Sequence, residues 1–162
     1  MESVDTIKKA DALEKGRAAL ISASPDVVKL NIYIQVNTSG KYTSLSFVLW
    51  LTSASGEESK SGCLPCEAVN LCRHILCSCP HLELQGLMTI GSIARSKAAE
   101  KGQENDDFVL LRETADTVSA ELKTSLELSM GMSSDFEQAI LLGASNVRYA
   151  FISRNRVFRI GD

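Results

Sequence analysis

All five cysteines and both histidines of this 162-residue chain fall between residues 63 and 81: Cys63, Cys66, Cys72, His74, Cys77, Cys79 and His81. The first pair has the Cys-x-x-Cys spacing of zinc and redox sites. A structural zinc site needs a second close pair on a turn. Here Cys72 and Cys79 fall instead on the apolar stripe of a helix predicted over 65–79, where cysteine serves as a small core residue. The expectation is a core helix and no metal, with a small Cys/His zinc-binding module as the alternative.

A second candidate is the stretch from Leu126 to Phe136, in which a strand runs through Met130-Gly131-Met132-Ser133 straight into a helix. Such a junction aims backbone N–H groups and hydroxyls at one spot, which suits a phosphate or a carboxylate. Ser133 is the best-placed hydroxyl; Ser133 or Ser134 as a simple helix cap is the competing reading. Arg148 stands inside the apolar run Asn146 to Phe151, so its guanidinium either pairs internally or meets a ligand at the sheet's edge. Asn37, at the C-terminal end of a strand, is either a turn residue or part of a site where α/β proteins build them. No Gly-rich phosphate loop, nucleophile elbow or paired-histidine metal motif is present, so catalysis is not indicated.

The elements that must position these residues follow from periodicity. Residues 4–21 read as a helix capped by Ser3, with Ile7, Ala10, Leu13 and Leu20 near helical spacing. Val27 to Asn37 is a strand with Val28, Leu30, Ile32, Ile34 and Val36 on one face and Lys29, Asn31, Tyr33, Gln35 and Asn37 on the other. The helix over 65–79 opens at Pro65, carries Ala68, Leu71, Cys72, Ile75 and Cys79 on one stripe and stops at Pro80. Leu82 to Ile90 is a strand, followed from Gly91 by a polar loop. Phe108, Leu111, Ala115, Val118 and Leu122 mark the next helix. Leu126 to Met130 is a short strand, Ser134 and Glu137 form a capping box for a helix ending at Gly143, and Asn146 to Ile152 is a last strand. Strands separated by single helices predict a parallel sheet with crossover helices, an open α/β sheet or a (β/α)₈ barrel. The polar second face of the first strand favours the barrel.

Composition narrows the class. Seventeen Lys+Arg against twenty Asp+Glu leave a net charge of −3, with no basic stripe, which argues against nucleic acid as a partner. The longest apolar run, Phe47 to Leu51, is far too short to span a bilayer, and Met1 to Asp5 carries no signal pattern. An odd number of cysteines fits reduced thiols, so the expectation is a soluble cytoplasmic protein, or a mitochondrial one in full-length form.

Several strings taken together resemble the pyridoxal-phosphate homeostasis protein family, whose domain is related to the N-terminal barrel of alanine racemase. They are Ser3-Val4-Asp5-Thr6, Ile34 to Gly40, Glu57 to Gly62, Gly86-Leu87-Met88-Thr89-Ile90-Gly91, Glu127 to Phe136 and Asn146-Val147-Arg148, in family order. Ile93-Ala94-Arg95-Ser96-Lys97 marks a fungal-type form. The resemblance implies a partial (β/α)₈ TIM-type barrel, the later half only, with pyridoxal 5'-phosphate held at its C-terminal mouth. It implies a cofactor carrier or buffer in vitamin B6 homeostasis with no assigned catalysis; a racemase-like enzyme is the alternative. Ser133 and the adjoining backbone at Met132 would meet the phosphate, Arg148 would face the pyridine nitrogen, and Asn37 completes the cofactor-binding candidates.

Three departures from the family pattern bear on function. The resemblance begins near the middle of that pattern, so the family's Schiff-base lysine is not matched, and 162 residues fall short of the ~250 of a closed barrel. Residues 41–56, containing the sole tryptophan, Trp50, are inserted between Gly40 and Glu57. After Arg148 the family's Gly-Ser/Thr-x-Ile-Phe-Gly phosphate loop is replaced by Tyr149-Ala150-Phe151-Ile152-Ser153-Arg154. The expected organisation is therefore a partial barrel over 1–148 interrupted at 41–56, then a divergent tail over 149–162. Gly40-Lys41-Tyr42 and Arg148-Tyr149-Ala150 can each be encoded across a splice-donor-like sequence, so both stretches read as in-frame intron read-through. Covalent attachment of the cofactor is expected to be lost, and the phosphate site to be impaired.

Overall fold

The structure is a computed structural model that describes residues 1, 3–24, 26–39, 61–92, 95, 104–151 and 154–159. The insert at 41–56, Ile152 and the last residues of the tail lie outside them. In chain order the elements are α1 (Ile7–Ala23), β1 (Leu30–Gln35), α2 (Pro65–Ser78), β2 (Leu82–Met88), α3 (Asp106–Leu122), β3 (Glu127–Ser129), α4 (Phe136–Leu141), β4 (Asn146–Phe151) and β5 (Arg154–Arg159). The sheet order is β1-β2-β3-β4-β5. The first four strands run parallel, as the alternation of strands and helices predicts, and β5 folds back antiparallel on β4. The four parallel strands form a curled half-barrel, the partial TIM-type barrel expected from the sequence.

The helices pack on one face of this sheet. Ile32, Ile34 and Val36 of the first strand region, Leu82 and Leu87 of β2, Leu128 of β3 and Val147 of β4 meet Ala68, Leu71, Cys72 and Ile75 of α2 and Phe108, Leu111, Ala115 and Val118 of α3. The predicted stripes of α2 and α3 are thus the buried ones, because 3.6-residue periodicity puts them on a single face. Pro65 stands at the first position of α2, and the Glu67 carboxylate accepts the Leu64 N–H at 3.1 Å. No described helix is long and apolar enough to cross a membrane.

Two expectations about where elements begin need correction. Thr6, not Ser3, caps α1, its hydroxyl accepting from Lys9 N at 3.3 Å. The residues before it are extended: Tyr33 N donates to Met1 O at 2.8 Å and Gln35 N to Val4 O at 2.8 Å, so the N-terminal stretch lines the outer edge of β1. Val28 is 75% exposed, because β1 begins only at Leu30 and Val28 never joins the core face. The second face of β1 is buried as well, as the polar interior of a barrel requires: Tyr33 and Gln35 are covered although they alternate with the core residues.

That second face is the inside of the half-barrel, and a polar network crosses it. Tyr33 pairs in register with Gly86, and Gly86 with Glu127. Because Gly86 has no side chain, the Tyr33 hydroxyl passes over β2 and donates to the Glu127 carboxylate. Asn146 of β4 joins them, its Nδ2 donating to the Tyr33 hydroxyl at 2.7 Å and to Glu127 Oε2 at 3.3 Å. Buried polar groups on an apolar sheet persist only when hydrogen-bonded in this way.

A Cβ at residue 86 would stand 1.9 Å from the Glu127 carbonyl oxygen, a backbone atom that cannot swing aside. Gly86→Ala is therefore expected to cost stability at or above the upper end of the ~1–3 kcal/mol typical of overpacking, read as a lower urea midpoint with an unchanged slope. The thiols give a second check. Cys66 and Cys77 are exposed while Cys63, Cys72 and Cys79 are buried, so a thiol reagent should titrate the first two in the native protein and the others only after denaturation. Burial, first among the causes, pushes the Cys63 and Cys72 thiols up from 9.0 to about 12. Their folded forms hold the proton more tightly than the unfolded chain does. Stability from these sites is then complete below pH 9 and is lost as pH rises from 9 towards 12, which an alkaline unfolding series would show.

Candidate functional site

The C-terminal ends of four parallel strands open on one side of the sheet, where barrels of this kind bind ligands. At the exit of β1, Val36 N donates to Met88 O at 2.8 Å and Asn37 N to Cys63 O at 2.9 Å. The Asn37 side chain accepts Ser39 N at 3.1 Å, which is the turn role that the sequence left open for it. Gly62, at φ +132°, lets the returning chain pass beside Asn37; a Cβ there would lie 2.6 Å from Asn37 N. At the exit of β2 the buried Thr38 and Thr89 hydroxyls share a hydrogen bond of 2.8 Å, and Thr89 also accepts Gly91 N at 3.2 Å.

A buried carboxylate organises this side of the mouth. Asp107, in the first turn of α3, is fully covered. It accepts Ser92 N at 2.7 Å and forms an ion pair with Arg95, whose Nη1 also reaches Thr38 O at 3.2 Å. The loops after β1 and β2 are thereby tied to the N-terminus of α3, where a negative charge is favoured by the helix dipole. Asn105 caps the same helix, accepting Asp107 N at 3.1 Å.

The β3–α4 turn is built around a second buried carboxylate, Asp135, which is 4% exposed. Its Oδ1 accepts the Met132 N–H at 2.7 Å, its own N–H donates to Met132 O at 3.1 Å, and its Oδ2 accepts from Asn105 at 3.5 Å. The capping box predicted from Ser134 and Glu137 does not form. Asp135 takes the N-cap position without a side-chain bond to the helix, because its carboxylate is turned back to close the turn. The Met132 N–H, expected to point at a ligand, is consequently used within the protein. Gly131 adopts φ +95°, and a Cβ there would stand 2.5 Å from that of Ala139, so glycine is needed for α4 to pack this close.

Ser133 is exposed at the tip of the turn. Arg148 N donates to Gly131 O at 2.9 Å, and because Val147 faces the helices, the half-buried Arg148 side chain is on the inner face with Asn146. The structure thus brings Met132, Ser133 and Arg148 to neighbouring positions at the ends of β3 and β4. Asn37 lies at the same mouth, with β2 and β3 between it and β4. Sequence reasoning did not find Asp107, Asp135, Thr38 or Thr89 as organisers. A carboxylate beside a predicted helix start, Asn105-Asp106-Asp107 or Ser134-Asp135, is the signal that could have suggested the first two.

The Cys/His cluster does not assemble around the Cys-x-x-Cys pair. Cys63 is buried beside β1 and Cys66 is exposed on α2, while Cys72 and Cys79 lie in the core as the helical stripe predicted.

No family model matches the chain. Individual proteins do. A pyridoxal phosphate homeostasis protein of Schizosaccharomyces pombe is 38% identical over 148 residues, covering 91% of this chain and 52% of the relative. The human protein of that name is 36% identical over 151 residues, covering 91% and 46%. Among solved structures, an unknown protein from Bifidobacterium adolescentis aligns with TM-score 0.65 at 32% identity, over 91% of this chain and 49% of that one. PipY of Synechococcus elongatus, solved with pyridoxal phosphate bound, aligns with TM-score 0.61 at 20% identity, over 91% and 57%, a likeness of fold. The chain spans about half the length of the relatives it matches, and over that half, with the family's strings in order on a curled parallel sheet, it belongs to the pyridoxal phosphate homeostasis protein family.

Proposed function

We propose that this chain is a pyridoxal-phosphate-binding homeostasis protein by descent, a cytoplasmic cofactor carrier rather than an enzyme, and that the half-barrel described here holds the cofactor without a covalent bond. The observation that carries the reading is the position of Arg148: on the inner face at the C-terminal mouth, one hydrogen bond from the turn that ends in Ser133.

The residues present fit part of such a site. Ser133 is exposed at the tip of the turn, where its hydroxyl would meet a phosphate oxygen, and the turn behind it is closed by Asp135. With its N–H engaged, Met132 serves to shape the turn rather than to donate to the phosphate. Arg148 faces the ring, where a permanent cation disfavours protonation of the pyridine nitrogen. Bound pyridoxal phosphate supplies an aldehyde and an electron-withdrawing ring; an unprotonated ring nitrogen makes that ring a weaker electron sink, which suits a carrier. Asn37 keeps the β1 exit in place from the other side.

Lysine placement supports non-covalent binding. Among the described residues Lys8, Lys9 and Lys15 lie on α1, Lys29 precedes β1 and Lys123 follows α3; none lies on a strand. The inner face carries Tyr33, Gln35, Ser129, Asn146 and Arg148 instead. A racemase-like reaction needs a Schiff-base lysine together with a second acid or base, and the described residues of this face include no lysine.

The purified chain, mixed with pyridoxal phosphate and treated with borohydride, is expected to yield no stoichiometric pyridoxyl-lysine peptide. A single lysine labelled at one equivalent would overturn non-covalent binding. Loss of a charged hydrogen-bonding partner costs ~1.5–3 kcal/mol, so Arg148→Ala should weaken cofactor retention in equilibrium dialysis by roughly ten- to a hundredfold. Ser133→Ala should weaken it less. Unchanged retention in both variants would remove the site from this mouth.

A further inference from the structure

Far from the mouth, on the helical side of the sheet, the structure gathers a different set of donors. His74 of α2 shares a hydrogen bond of 2.7 Å between its Nε2 and Asp11 Oδ1 of α1. Cys79, which terminates α2, joins them: one ligand atom from each of Asp11, His74 and Cys79 lies within 4.8 Å of the other two. No other group of three or more such residues occurs among the described residues. One helical turn along α1, Glu14 accepts from His81 N at 3.0 Å and meets His81 Nδ1 at 2.5 Å.

We propose that Asp11, His74 and Cys79 form a binding site for a zinc ion at the α1–α2 junction, with a water molecule in the fourth position. Zinc bonds of about 2.0–2.3 Å to sulfur, nitrogen and oxygen place tetrahedral donors roughly 3–4 Å apart, a spacing that rotamer adjustments of the two surface residues can reach. Thiolate and imidazole select zinc over magnesium or calcium, which take oxygen donors. Access is open at one side: the Asp11 side chain is 58% exposed and that of His74 26%, whereas Cys79 is 2% exposed and anchors the site from below. On uptake the S–H bond of Cys79 breaks, a sulfur–zinc bond forms and that proton passes to solvent. His74 binds as the neutral imidazole through Nε2, its ring hydrogen moving by way of water to Nδ1, and the Asp11 carboxylate exchanges its hydrogen bond to His74 for the cation.

This site is not the one that the Cys63-x-x-Cys66 spacing suggests. Those two residues contribute nothing to it, and one of its three ligands comes from α1, more than sixty residues before the others. It is also independent of the cofactor reading, since no residue is shared.

The test is metal analysis of the purified full chain after dialysis against zinc, with cobalt(II) as a spectroscopic substitute. One zinc per chain is expected, with a thiolate-to-cobalt charge-transfer band. His74→Gln, a surface change that leaves the core intact, should weaken zinc binding at least tenfold, and Cys79→Ser should weaken it and abolish the band. Cys66→Ser and Cys77→Ser should bind as the parent does. Circular dichroism of each variant separates lost ligation from lost folding, and His74→Gln carries the test should Cys79→Ser unfold. Substoichiometric zinc, zinc indifferent to His74→Gln, or loss of binding in Cys66→Ser would overturn the proposal.

Discussion

The curl of the sheet depends on one absent side chain. Gly86 stands between Tyr33 and Glu127 in register, and its bare backbone lets a phenol reach across an entire strand to a carboxylate. Neighbouring strands lie about 4.8 Å apart, so without a glycine the intervening side chain would occupy this path. Asn146 extends the link to β4. Three strands are thus tied on the inner face while the helices press on the outer one. The register irregularity between Ile32 and Tyr33, opposite Leu84 and Gly86, occurs at the same level. A bulge there increases the local twist.

Much of this architecture is legible in the sequence, for reasons that differ by element. The stripe Ala68, Leu71, Cys72 and Ile75 announces α2 because helical periodicity and burial agree, and Pro65 fixes its start. The alternation in β1 is readable too, and its polar face already points to a barrel interior. What one strand alone does not disclose is the partners of Tyr33, since Glu127 and Asn146 lie about a hundred residues away. The same limit applies to caps. Ser3 and Thr6 are equally good capping residues, and what decides for Thr6 is the pairing of the stretch before it with β1, a tertiary contact that local preference does not encode.

The mouth shows this most clearly. Ser133 and Arg148 could be singled out because a hydroxyl in a strand-to-helix turn and a cation in an apolar strand are locally unusual. Asp107 and Asp135 looked like ordinary helix-start acids. In the fold both are buried and turned back on loops: Asp107 holds Ser92 and Arg95, and Asp135 holds Met132 and Asn105. Asn105 touches both systems, through Asp107 N and Asp135 Oδ2, so the two halves of the mouth are coupled by a single amide. The backbone donor that sequence reasoning offers to a ligand is spent on this internal order. What the turn leaves at its surface is side chain rather than backbone, with Ser133 at its tip and Arg148 on the neighbouring strand.

The edges of the sheet set a further constraint. On one side the backbone of Met1 and Val4 pairs with β1; on the other, β5 pairs along the whole of β4, from Asn146 with Arg159 to Phe151 with Arg154. Exposed strand edges invite pairing with other chains, and these pairings move the outer edges of the described sheet from β1 and β4 to the N-terminal stretch and to β5. A barrel continues from β4 by adding a parallel strand to that same edge, whose N–H and C=O groups can serve only one neighbour. The antiparallel β5 and a parallel successor are therefore alternatives. With β5 in place that edge of β4 is occupied, and Tyr33, Ser129 and Arg148 lie on the concave face of the half-barrel that the described parallel strands form.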